Sequence, residues 1–129
     1  MANFEGVTAC NGAKIPANKR VPLKIFLEKY RYGELSVGID NEGFFIFNGY
    51  EWPCIYSGLR DEDSVMTSDI DPYEDMSDEF YDGLREFMPN NQKNPLIIHA
   101  IGYEKCKYPL SAMEIIITKK KVRYNGFKG

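Results

Sequence analysis

The chain has 129 residues, 43% of them hydrophobic and 14% aromatic, and a net charge of −3 at neutral pH. This length suits one domain, expected over residues 1–129, with a substantial core, and the aromatic content excludes a disordered chain. The acidic balance argues against bulk binding of nucleic acid or an anionic membrane, and apolar runs such as Leu96–Ala100 are far shorter than the roughly 20 residues a membrane span needs.

The opening MANFEGVTAC has no basic stretch followed by an apolar one, so no signal peptide is expected. Cys10, Cys54 and Cys106 are odd in number and lack CxxC spacing, which reads as reduced thiols and a cytoplasmic setting. Asn11-Gly12 can turn a short hairpin between Val7–Cys10 and Ala13–Ile15. Leu23, Phe26, Leu27 and Tyr30 then repeat at helical spacing, with Pro22 suited to the first turn and Gly33 to the C-terminal cap. A helix over 22–33 is predicted.

Leu35, Val37 and Ile39 alternate with small residues as a half-buried strand does. Asp40 to Gly43 supplies turn chemistry. Phe44 to Phe47 is a second strand, and Asn48-Gly49 is a favoured hairpin turn leading to a third strand through Tyr50, Trp52 and Ile55-Tyr56. A three-stranded meander over 35–56 is therefore expected. No helical or strand period marks 59–73. From Ser77 to Met88, by contrast, Phe80, Tyr81, Leu84, Phe87 and Met88 form one apolar stripe, so this stretch is predicted as a helix. Gly83 in its middle suggests a close approach to the sheet. Pro95 to Tyr103 is apolar at both parities, as a central strand covered on both sides would be. Leu110 to Tyr124 reads as the last extended stretch. The predicted fold class is α+β: an antiparallel sheet of about five strands, with the meander 35–56 at its centre and two helices packed on it.

The net charge conceals a strong asymmetry. Residues 61–86 carry eleven acids against one base, a local charge of −10, whereas residues 87–129 carry +6. Like charges within a Debye length of roughly 8 Å repel, so the clustering needs a compensating partner, inside the fold or outside it. Asp61-x-Asp63 and Asp69-x-Asp71 look like calcium-loop openings. However, the sixth and twelfth positions hold Met66 and Pro72, or Glu74 and Phe80, in place of the required Gly and Glu. No metal or cofactor is expected. Glu42 to Phe47 lacks the leading base and the small residue of an RNA-recognition strand, so direct nucleic-acid binding is set aside. Cysteine catalysis would depend on His99, the one histidine, which alternates with Ile97 and Ile101 and reads as a buried core residue. No enzymatic motif appears, and a non-enzymatic role is expected.

The acids lie beside Tyr50, Trp52, Tyr73 and Tyr81, and aromatic anchors rimmed by charge are what protein interfaces use. A dense negative surface can stand in for a phosphate backbone and steer a basic partner. In charge and size the chain parallels nuclease inhibitors, immunity proteins and phage-encoded anti-defence proteins, although no family motif carries the parallel. The expected function is a small acidic binding protein that blocks a basic, nucleic-acid-binding or nuclease partner through Asp61, Glu62, Asp63, Asp69, Asp71, Tyr73, Glu74, Asp75 and Asp78 with Tyr50 and Trp52. The alternative is a nucleotide-sequestering protein, with Phe44, Phe47, Tyr50 and Trp52 stacking the base and Lys119, Lys121 and Arg123 meeting phosphates. Two roles without a ligand compete for the basic stretch Lys119–Tyr124: an edge strand protected by lysines, or an internal partner of the acidic segment.

Overall fold

The computed structural model describes residues 4–58, 75–90, 93–104 and 109–127. In chain order the elements are β1 (Phe4–Cys10), α1 (Arg20–Leu27), β2 (Tyr30–Arg31), β3 (Ser36–Ile39), β4 (Phe45–Asn48), β5 (Tyr56–Ser57), α2 (Ser77–Leu84), β6 (Leu96–Glu104), β7 (Pro109–Ile117) and β8 (Val122–Phe127). The fold is α+β. Its main sheet has four antiparallel strands in the order β1-β6-β7-β8, accompanied by the two-stranded pairs β2-β5 and β3-β4. No helix among the described residues is long and apolar enough to cross a membrane.

Among the described residues the main sheet has four strands, not about five, and the 35–56 stretch is not its centre. β3 and β4 make the expected hairpin, and its turn follows the expected chemistry. Asp40 Oδ1 accepts the Glu42 and Phe44 amides at 2.8 and 2.9 Å, and Gly43 takes a φ of 94°. The chain does not reverse again at Asn48-Gly49. The Gly49 amide donates to the Thr8 carbonyl at 2.9 Å and the Gly49 carbonyl accepts from the Thr8 amide at 2.8 Å, so the hairpin is tied to the edge of β1. The next extended residues, Tyr56–Ser57, pair with Tyr30–Arg31 instead.

Two further local expectations give way to long-range pairing. β1 runs antiparallel to β6 along its whole length, which leaves Ala13 and Ile15 to bond with Phe45 and Gly43 at 2.8 Å rather than with β1. Helix α1 begins with Pro22 in its first turn, as expected, but it ends at Leu27. Tyr30 and Arg31 leave it for the pairing with β5, and Gly33, at φ 63°, serves the turn beyond β2 rather than a helix cap.

The 77–88 reading holds, with the end tightened into a 3₁₀ turn over Arg85–Phe87. Phe80, Tyr81, Leu84, Phe87 and Met88 are all buried. They join Leu23, Leu27, Phe45, Phe47, Leu96, Ile98, Ile115 and Ile117 in one core. Phe80 is the hub. Its ring lies 5.2 Å from Tyr30, 5.5 Å from Tyr32 and Tyr81, 5.8 Å from Phe26 and 5.9 Å from Phe47.

β6 is central in the sheet but covered on one side only. Leu96, Ile98, Ala100 and Gly102 are buried, whereas the alternate residues Ile97, His99 and Ile101 face outward. The His99 side chain is 62% exposed, which overturns its reading as a core histidine. Its apolar neighbours in sequence are outward too, so they gave no indication of the face.

The close approach at Gly83 is to α1 rather than to the sheet. A Cβ there would fall 2.5 Å from Cζ and 2.6 Å from Cε1 of Phe26, a ring held between Tyr30, Phe80 and Phe87. In an open helix Gly→Ala gains about 1 kcal/mol. Here overpacking outweighs that gain, and Gly83→Ala is expected to lose about 1–2 kcal/mol in urea unfolding. Added to a Phe26→Leu background, the same change becomes neutral or stabilising. A gain in the wild-type background would refute the contact.

Candidate functional site

Of the acidic run, Asp61, Glu62, Asp63, Asp69, Asp71, Tyr73 and Glu74 lie outside the described residues. The part that can be followed starts at Asp75, which bridges to Tyr56, while the neighbouring Met76 amide donates to the Ile55 carbonyl at 2.8 Å. This docks the entry of α2 onto β5. Asp75 Oδ1 then accepts from the Ser77 amide at 2.9 Å and from Ser77 Oγ at 2.6 Å, closing an Asx turn that starts the helix. Asp78 and Glu79 follow in the first turn, where the helix dipole favours negative charge.

Burying the stripe headed by Phe80 turns the acids outward. Asp75, Asp78, Glu79, Asp82 and Glu86 are all exposed. Among the described residues, the ion pair made by this set is Asp82 with Arg85, at 2.8 Å. Glu79 accepts from the Tyr30 phenol at 2.8 Å, and Asp78 accepts from the Tyr124 phenol at 3.3 Å. The carboxylates therefore meet neutral tyrosines more than cations.

Three phenols lie with these acids. The Tyr81 ring packs edge-on against Tyr124, with centroids 6.2 Å apart, and its hydroxyl is buried without a hydrogen-bond partner among the described residues. Burial pushes the Tyr81 phenol well above its ordinary value, with Tyr124, Asp75, Cys54 and Asp78 adding to the effect in that order. Tyr124 is pushed up to about 12, first by burial and then by Asp78. Tyr56 is raised chiefly by its hydrogen bond with Cys54, with Asp75 and Glu51 contributing further. The result is a shoulder of Asp75, Asp78 and Asp82 around Tyr56, Tyr81 and Tyr124, built by α2, β5 and β8.

The other expected residues are distributed differently. Tyr50 is 93% exposed and lines a separate groove with Thr8, Glu34, Ser36 and Asn48. Trp52 is half-buried, its backbone crossing Gly6 of β1. Phe47 is fully buried, with Tyr32, Phe45, Phe80 and Tyr81 around its ring. Phe44 lies beneath Lys14, whose Nζ is 5.8 Å from the ring centroid. Lys119 and Lys121 are exposed in the turn before β8, and Arg123 is exposed on β8 itself. That turn leans on the end of α2, where Arg85 Nη2 donates to the Lys120 carbonyl at 2.7 Å and Lys119 shares a shallow groove with Asp82 and Glu86. No ion pair joins the acids of 75–86 to Lys119–Arg123 among the described residues.

Tyr56 and Tyr124 were not among the residues expected from sequence. Tyr124 alternates in phase with Val122, and Tyr56 falls at the end of the expected third strand, but neither signal identifies the acids each one meets. Tyr81, expected near the acids, is there, but it is buried. The two described thiols do not face His99. Cys10 points to the inner side of the sheet, donating to the Phe45 carbonyl at 3.3 Å, and Cys54 belongs to the tyrosine cluster. No group of three or more metal-ligating side chains occurs among the described residues. Comparison with known protein families, curated proteins and solved structures finds no match.

Tyr30, Tyr32 and Tyr81 are likewise raised, by burial first. A phenol raised in the fold stabilises it fully below the unfolded value near 10 and loses that contribution as pH climbs through the folded value. The urea midpoint is therefore expected to hold up to about pH 9.5 and to fall between about pH 10 and 12, with the share of tyrosinate absorbance at 295 nm that belongs to the buried phenols appearing in step with unfolding. Tyr124→Phe makes the fall shallower. Ordinary, fold-independent titration of every tyrosine would contradict the burial described here.

Proposed function

We propose that the chain is a small binding protein of the immunity or anti-defence inhibitor type. In this reading it blocks a basic macromolecular partner through the acidic run from Asp61 to Glu79 and the tyrosines beside it. The observation that carries this reading is the state of the described acids. Asp75 and Asp78 are exposed, next to phenols, and without a cationic partner among the described residues. Carboxylates crowded in this way repel one another, and among the described residues the lysine-rich turn near the end of α2 forms no ion pair with them. A basic surface arriving from outside would lower that repulsion and would be steered in rapidly. The rims of Tyr56 and Tyr124 would give it apolar area to cover. The nucleotide alternative has less to build on, because the Phe47 ring is enclosed by the core and Phe44 stands beside Lys14.

The test reverses Asp69, Asp71, Glu74 and Asp75 to Lys. A basic protein captured from the native cell by the wild-type chain is expected to bind the variant at least about 100-fold more weakly, with affinity that falls steeply with salt. Asp75→Lys also removes the contact that starts α2, at a cost of about 1 kcal/mol, so circular dichroism must show the fold retained. Asp78→Lys with Asp82→Lys gives a second variant that spares the contact. Undiminished binding by both would end this reading. ATP titrated to 1 mM is expected to leave Trp52 fluorescence flat, and a saturable change would favour the nucleotide alternative.

A further inference from the structure

We infer that the outer face of the four-stranded sheet is where two copies of this chain meet. Directly opposed residues of an antiparallel sheet share a face, so the outward positions form rows across β6 and β7: Ile97 beside Ile116, His99 beside Glu114, and Ile101 beside Ala112. A sheet face left to water ordinarily carries polar residues. On β6 and β7 this one is apolar at both ends, with Ile101 44% exposed, and polar in its middle row, while exposed Arg123 of β8 stands beside Ile116.

The middle row is ordered. Nε2 of His99 hydrogen-bonds Oε2 of Glu114 at 2.8 Å, and Asn125 Nδ2 donates to Glu114 Oε1 at 3.0 Å. These two bonds, that of His99 first, hold the Glu114 carboxyl below its ordinary value. The row thus presents a fixed negative group beside a basic one, with the apolar pairs of β6 and β7 on either side and Arg123 of β8 at the margin.

The register makes this pattern complementary to itself. A two-fold axis parallel to the strands, between β6 and β7, lays each β6 over the partner's β7. Ile97 then meets Ile116, Ile101 meets the smaller Ala112, and His99 meets Glu114, each pairing occurring twice, as an isologous interface requires. The twist of two such sheets allows stacking at about −30°. Strand spacing of about 4.8 Å and a rise of about 3.3 Å per residue make the face roughly 19 by 23 Å, on the order of 440 Å² per copy. A pair would bury about 900 Å², below the usual range for stable complexes, so the dimer is a weak one. This inference stands apart from the acidic shoulder, which lies across the inner side of the sheet.

Sedimentation equilibrium of the full chain from about 1 µM to 1 mM tests it. The expected result is a monomer–dimer equilibrium with a midpoint between about 10 µM and 1 mM, the range for so small a face. Ile101→Glu is expected to raise the midpoint at least tenfold while circular dichroism is unchanged. His99→Glu sets like charges against each other and weakens the pair similarly, and adding Glu114→Lys restores it. A monomer at every concentration would overturn the inference, as would a dimer indifferent to Ile101→Glu and to His99→Glu.

Discussion

The placement of the acidic helix depends on the packing of one ring. Phe80 sits among Phe26, Tyr30, Tyr32, Phe47 and Tyr81, so α2 is held at once to α1, to the segment through β2, and to the β3–β4 hairpin. Each well-oriented aromatic pair contributes about 0.5–1.5 kcal/mol beyond the area it buries. Because the rings come from elements far apart in sequence, that packing closes the fold rather than one helix. Gly83 lets Phe26 approach, and with the apolar stripe turned inward the carboxylates of α2 can only face out.

The asymmetry of charge is then handled in an unusual way. Acids at the start of α2 meet phenols, which are neutral at pH 7, and among the described residues the lysine-rich turn meets the end of α2 through a backbone carbonyl. A neutral donor relieves a carboxylate's hydrogen-bonding need without cancelling its charge, so negative potential persists at this shoulder. That persistence is the physical basis for reading the shoulder as a meeting place for a basic partner.

The main sheet has two unlike faces. Its inner side is packed by the helix and hairpin layer through Ile98, Ile115 and Ile117. Its outer side shows isoleucines flanking an ordered His99–Glu114–Asn125 row. Both parities of β6 are mostly apolar for this reason, although only one parity is in the core.

Local chemistry was legible in the residues. The stripe of 80, 81, 84, 87 and 88, the Asp40–Gly43 turn and the strand from 96 onward depend on neighbours a few positions away, so period and turn residues suffice to read them. What each strand pairs with was not legible. Gly49 bonds to Thr8, Ala13 to Phe45 and Tyr56 to Arg31 because the closed fold brings them within reach, and turn propensity at Asn48-Gly49 is small beside a pair of long-range backbone hydrogen bonds. The sequence by itself determined the helical stripe, the turn and the crowding of charge. Only the tertiary structure decided which way His99 faces, which tyrosines stand beside the acids and which glycine admits Phe26, since those outcomes depend on surfaces that exist only once distant segments have packed.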